Sequence, residues 1–357
     1  MTRTLTLSSF AVLLLACSNG TPEPKPATTP ASAPAPAPAT AVATPKPAAE
    51  KGTVETHSFA SASLGVDKNY VVYLPAGYAS KPDTRYPVFY YLHGLTGNET
   101  NWVKGGALDE AADALGLQAI VVMPDGDDGF YTDAATNYDY DACMKDGTGL
   151  FMPGQPRKET CVKKRNYETY IIKDLLSEID SHFRTIATRE GRAIAGLSMG
   201  GFGALELSMR HPDLFAAAAS HSGVAALLYE GPYPYEKGKV KLFTKVQKAP
   251  EAGGEILRWL NGIFGDKIDN WRAHDPATLA TKMEAGKPAL YLDCGTEDIF
   301  QLNNGAAYVH DILLDRKIDH AFFIGPGRHD FTFWKPRLPE SLKFLRDHTA
   351  SSTSSSK

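Results

Sequence analysis

One serine stands where its neighbours could make it reactive. Ser198 lies in Gly196-Leu197-Ser198-Met199-Gly200-Gly201. A serine hydroxyl attacks only when a base takes its proton and a third group orients that base. Two later stretches could supply them, Cys294-Gly295-Thr296-Glu297-Asp298 and Gly327-Arg328-His329-Asp330. Serine, acid and histidine in that chain order suit acyl transfer through a covalent intermediate. His329 is the best of ten histidines. His93 sits in a tight glycine loop and reads as a structural hydrogen-bonder. His211, before Pro212, reads as a helix-end residue, and His221 is the main rival base. Spacing leaves Asp298, Glu297 and Asp293 open as the acid. The oxyanion that develops needs preorganised N–H donors. Met199, which follows the serine, offers one, and the loop His93-Gly94-Leu95 offers another from Leu95 N–H.

The elements around these residues must put them on one rim. Residues 192–195 read as a short strand and 202–210 as a helix, so Ser198 falls at a sharp strand-to-helix turn. G-x-S-x-G is a weak pattern alone, and this context is what gives it meaning. Further strands are expected at 70–73, 88–92, 119–124, 214–219, 288–292 and 321–324. Helices are expected at 105–115, 167–183, 303–314 and 338–348. Alternating strands and helices predict a mainly parallel sheet with helices on both faces. Sites in such sheets form beyond the carboxyl ends of the strands, and Ser198, the 93–97 loop, Asp298 and His329 all follow strands. Two segments, 125–165 and 223–276, read as insertions over that rim.

Of 357 residues, 43% are hydrophobic and 22% charged, with a net charge of -4. These proportions suit a globular domain, and no basic stripe points to nucleic acid. Residues 1–16 read as a lipoprotein signal peptide ending Leu14-Leu15-Ala16, with Cys17 as the lipidated residue. The expectation is an exported chain held in the cell envelope, at the outer membrane, by that lipid alone. Residues 17–52 form a Pro/Ala/Thr-rich tether, residues 53–348 the folded domain, and residues 349–357 a disordered tail. In an oxidising compartment Cys143 and Cys161, which share the first insertion, are expected to pair. Cys294, against a buried strand, reads as an inert core thiol. Asp125, Asp127, Asp128, Asp133, Asp139 and Asp141 depart from EF-hand spacing and read as a solvated acidic loop, not a calcium site. Tyr229, Tyr233, Tyr235, Trp259 and Trp271 suit either a substrate pocket or cap packing.

With these motifs in hand the chain resembles the putative-esterase (esterase D-like) family of α/β-hydrolases. That family includes feruloyl and acetylxylan esterases, S-formylglutathione hydrolases and the antigen 85 mycolyltransferases. The resemblance covers about residues 53–348. It rests on Leu92-His93-Gly94-Leu95 with Asn101-Trp102, and on Met123-Pro124-Asp125-Gly126 with Tyr131. Tyr167-Glu168-Thr169-Tyr170, residues 196–203, residues 294–298, and Gly327-Arg328-His329-Asp330-Phe331 with Trp334 complete it. It implies Asp298 as the acid beside Ser198 and His329, with Leu95 and Met199 as oxyanion donors. It implies an α/β-hydrolase fold and a cofactor-free serine esterase acting on small-molecule or carbohydrate esters. Acyl transfer to a sugar hydroxyl is the nearest alternative, and a catalytically silent carbohydrate-binding surface protein is the other. The long first insertion departs from the family, which bears on the substrate and not on the chemistry.

Overall fold

The computed structural model describes residues 50–152, 154–251 and 254–354. The expected signal peptide, the expected lipidation site Cys17 and the expected tether up to residue 49 lie outside the described residues. No helix among those described is long and apolar enough to cross a membrane.

The main sheet has eight strands: β1 (Thr53–Ser61), β2 (Val66–Leu74), β3 (Val88–Leu92), β4 (Ile120–Pro124), β5 (Arg192–Leu197), β6 (Ala217–His221), β7 (Ala289–Gly295) and β8 (His320–Gly325). Their order is β1-β2-β4-β3-β5-β6-β7-β8. β2 is antiparallel to β1 and β4, and every later pairing is parallel. Strands covered on both faces have no reason to alternate with polar residues. β3 shows this: Tyr90 and Leu92 enter one apolar cluster, Phe89 and Tyr91 the other. Among the helices of the described residues, those that frame the sheet and its rim include α1 (Leu108–Ala114), α2 (Leu176–His182), α3 (Met199–Arg210), α4 (Glu255–Phe264), α5 (Ile268–His274), α6 (Leu302–Asp315) and α7 (Phe331–Asp347). Leu205 of α3 and Val309 and Leu313 of α6 pack on the Tyr90 face. Leu338, Leu342 and Leu345 of α7 pack on the Phe89 face with Leu108 of α1.

Four expectations need correction. β1 is an added strand that the apolar pattern does not reveal, because this edge strand is largely exposed and carries no apolar face. The helix expected at 105–115 is a short turn, Asn101–Lys104, followed by α1. α7 starts seven residues before the expected 338, and Pro336 and Pro339 both lie inside it. The tail is not wholly disordered: Thr353–Ser354 pairs antiparallel with Thr84–Arg85, and Ala350 N–H donates to Glu190 O at 2.7 Å.

The two insertions pack on each other beside the rim. Trp259 Nε1–H of α4 donates to Asp128 O at 2.8 Å, and Ala135 N–H donates to Ile263 O at 2.7 Å. The Arg165 guanidinium lies 4.6 Å from the Trp259 ring. Tyr229 and Trp271 are buried in the cap, whereas Tyr233 is exposed. Within the first insertion a disulfide joins Cys143 to Cys161 with Cα atoms 5.9 Å apart. A closed loop of this length contributes roughly 3 kcal/mol. Peptide maps of unreduced protein should recover this linked pair. Two alkylatable thiols there would rule it out.

Candidate active site

Ser198 caps α3 at φ 53° and ψ -116°, a strained backbone for a residue with a side chain. The glycines around it are steric necessities. A Cβ on Gly196 would lie 2.3 Å from Gly200, and one on Gly200 would lie 2.4 Å from Leu92 O. The turn leaves Ser198 half-buried, at the mouth of the sheet and at the amino end of a twelve-residue helix. Such an end favours negative charge.

His329 follows β8, and Asp298 follows β7. Ser198 O–H donates to His329 Nε2 at 2.9 Å, and His329 Nδ1–H donates to Asp298 Oδ2 at 2.6 Å. Asp298 is buried, and its Oδ1 accepts the Phe300 N–H at 2.8 Å. The His329 ring stands edge-on between Phe300 at 4.9 Å and Trp334 at 5.0 Å. Asp330 caps α7 directly after His329. The structure therefore brings Ser198, Asp298 and His329 together in the geometry of a nucleophile, its base and an orienting acid.

The loop carrying Leu95 abuts the serine. A Cβ on Gly94 would meet Leu197 Cδ1 at 2.6 Å and Ser198 Cβ at 3.3 Å. Among the described residues no acceptor takes up the backbone N–H of Leu95 or of Met199. Two free N–H groups beside a reactive hydroxyl can receive an oxyanion. His93 is buried beneath them; its Nδ1–H donates to Gly94 O at 2.8 Å and its Nε2 accepts Gly126 N–H at 2.9 Å.

The rival acids and base go elsewhere. β7 runs on to Gly295, so Asp293 lies inside the strand, in register with His221 of β6. His221 Nδ1–H donates to Asp293 at 3.0 Å, and its Nε2 lies 2.8 Å from Ser341 Oγ of α7. This second serine, histidine and aspartate set is buried throughout. A hydroxyl at 0% exposure cannot meet a substrate. The set ties α7 to the sheet instead. Glu297 is exposed and faces Arg328. His211 bonds Glu168, and Glu206, Arg210 and His274 complete an ionic group between α3, the residues opening at Tyr167 and α5. Cys294 is buried, and burial pushes its thiol up, out of the reactive range.

The acidic insertion is solvated only in part: Asp133, Asp139 and Asp141 are exposed, as expected, and the other three acids are not. Asp125, Asp127 and Asp128 are buried. Asp133 caps the backbone at Thr169, and Asp139 caps the helix Tyr140–Asp146. Lys68 Nζ donates to Asp125 at 2.7 Å and to Asp127 at 2.8 Å. Sequence reasoning missed Lys68, although it shares the inward face of β2 with Tyr70 and Val72. Burial alone would raise Asp125, but the Lys68 ammonium outweighs it and holds that carboxyl well below the usual range. Burial raises Asp127 to about 7 despite Lys68. One ammonium thus pairs with one firmly ionised carboxylate. The folded pKa of Asp127 exceeds its unfolded value near 4, so its contribution to stability is complete below about pH 4 and is lost as pH rises through about 7. In thermal melts across that window, Asp127→Asn should flatten this slope at little cost. Lys68→Met should cost about 3–5 kcal/mol, because it leaves a buried carboxylate unpaired. Equal losses in the two variants would contradict this account.

The family model described as putative esterase matches residues 61–345. Esterase Rv1288 of Mycobacterium tuberculosis is 34% identical over 172 residues, which are 48% of this chain and 32% of that protein. The endo-1,4-beta-xylanase/feruloyl esterase of Xylanibacter ruminicola is 33% identical over 196 residues, 53% of this chain and 23% of that protein. The chain spans about a third or less of the length of these curated relatives. A solved ferulic acid esterase has the same fold, with a TM-score of 0.60 at 23% identity over 84% of this chain and 100% of the other. That fold is the α/β-hydrolase architecture expected from the sequence.

Proposed function

The chain belongs to the putative esterase family, and from that premise we propose that it is a serine esterase working through an acyl-enzyme on Ser198. Ser198 Oγ attacks the ester carbonyl carbon while His329 Nε2 takes its proton. Asp298 holds the ring and stabilises the imidazolium. The carbonyl oxygen, now anionic, is received by the N–H groups of Leu95 and Met199. Collapse breaks the bond to the alcohol oxygen, and His329 returns the proton to it. Water then attacks the acyl-enzyme by the same route and releases the acid. One observation carries this reading: a half-buried serine hydroxyl 2.9 Å from a ring nitrogen whose partner nitrogen meets a buried carboxylate.

The substrate class is an acyl or feruloyl ester of a sugar, supported by the feruloyl esterase named among the relatives. The site is in the cell envelope, with the chain lipid-anchored at Cys17. Support comes from the Leu14-Leu15-Ala16-Cys17 stretch and from a disulfide that suits an oxidising compartment. The test is a panel of p-nitrophenyl esters of graded acyl length beside feruloyl and acetylated sugars. Free acid should appear from short p-nitrophenyl esters and from at least one sugar ester. Acyl groups passed to an added sugar with no acid released would make the protein a transferase. No turnover at all would leave a binding protein.

A further inference from the structure

Two consecutive apolar side chains beside His329 face solvent. Ile299 is 65% exposed and Phe300 37%. Neither belongs to the two buried clusters or to the residues packed against them. Their segment is nevertheless held in place. Phe300 N–H and Gln301 N–H both donate to Asp298, at 2.8 Å to Oδ1 and 2.9 Å to the carbonyl oxygen. Gln301, at φ 55°, then turns the chain into α6. The apolar pair therefore sits on a short, fixed turn anchored by the residue that orients His329.

The reaction geometry says which part of an ester would meet it. The carbonyl oxygen points to the Leu95 and Met199 N–H groups, on the side where Gly94 abuts Ser198. The leaving oxygen must instead come within hydrogen-bond reach of His329 Nε2, which protonates it. Whatever that oxygen carries emerges past His329, and the Phe300 ring lies edge-on to that imidazole at 4.9 Å. Two charged residues precede the acid and the base in sequence, Glu297 before Asp298 and Arg328 before His329. They face each other at 3.7 Å and are both largely exposed. An apolar surface with a polar, charged margin fits a ring that has a C–H face and hydroxyls around its edge.

We propose that Ile299 and Phe300 form the subsite for the leaving alcohol, and that it takes the apolar face of a pyranose ring while Glu297 and Arg328 meet its hydroxyls. This rests on the serine-esterase reading of Ser198. The test holds the acyl group at acetate and varies the alcohol: methyl acetate, cyclohexyl acetate and an acetylated methyl xylopyranoside. A second series holds p-nitrophenol and lengthens the acyl group. Ile299→Ala should lower kcat/KM about tenfold for the two ring alcohols, leave methyl acetate unchanged, and leave the acyl-length series parallel to wild type. Ile299→Leu should restore the ring esters. Phe300→Ala also loosens His329, so it should lower kcat for every ester and raise KM for the ring alcohols alone. Wild type should favour the xylopyranoside over cyclohexyl acetate, and Arg328→Ala should erase that preference. Cyclohexyl acetate preferred in wild type would replace the sugar with a plain apolar alcohol and overturn that part of the proposal. A loss in Ile299→Ala that follows acyl length, or none, would overturn the subsite itself. Failure of the parent reading looks different: Ser198→Ala would then still turn over methyl acetate.

Discussion

Ser198→Ala should abolish ester hydrolysis and leave the fold as it is. The hydroxyl makes one polar contact with another side chain, to His329 Nε2 at 2.9 Å, so its removal strands no buried partner. Alanine adds no bulk to a turn in which Gly94, Gly196 and Gly200 already sit at closest approach. The strained φ of 53° at this residue is unaltered by the change, since alanine and serine both carry a Cβ. Loss of such a serine lowers kcat by on the order of a millionfold. Circular dichroism and the thermal midpoint should match wild type. A purified variant that kept more than about a tenth of the activity would refute the assignment.

His329→Ala should be about as damaging, and the double variant Ser198→Ala, His329→Ala hardly worse than either. A hydroxyl without its base and a base without its hydroxyl are equally idle, so the two losses do not multiply. Rates at saturating p-nitrophenyl acetate for the three variants decide this. Independent, multiplying losses would point to another base. His221 gives the contrast. Its ring touches Asp293 and Ser341 in the core, so His221→Ala should act on stability, lowering the thermal midpoint while the surviving folded protein keeps a wild-type KM.

The strands around the site are legible because a sheet covered on both faces must be written in unbroken apolar runs. Val88 to Leu92 is such a run, and every residue in it is buried. The strained turn is legible from its glycines. What local spacing leaves open is decided by register between distant strands. Asp293 and Asp298 are five residues apart, and spacing cannot choose between them. The choice is made by the parallel pairing of β7 with β6, which sets Asp293 opposite His221 and leaves Asp298 beyond the strand end for His329. The same holds for the acidic insertion. Asp125 and Asp127 read as solvated because their cation, Lys68, lies more than fifty residues earlier and meets them only when β2 pairs with β4. The start of α7 is obscured by Pro336, which like Pro339 lies inside the helix. Each proline lacks one N–H, but the buried row from Phe333 to Leu345 outweighs those lost bonds. Phe300, on one side of His329, carries no signal in sequence beyond its nearness to the acid, whereas Trp334, on the other side, stands in the motif around the base.

The central claim is that Ser198 becomes acylated. A fluorophosphonate mimics the attacked ester: the serine oxygen bonds to phosphorus and fluoride leaves, and the adduct has no route to hydrolysis. After incubation, intact mass should rise by one phosphonyl group, and peptide mapping should place it on the peptide containing Ser198. His329→Ala, lacking the base, should label far more slowly. Stoichiometric labelling at any other residue, or none under conditions where wild type hydrolyses p-nitrophenyl acetate, would contradict the account.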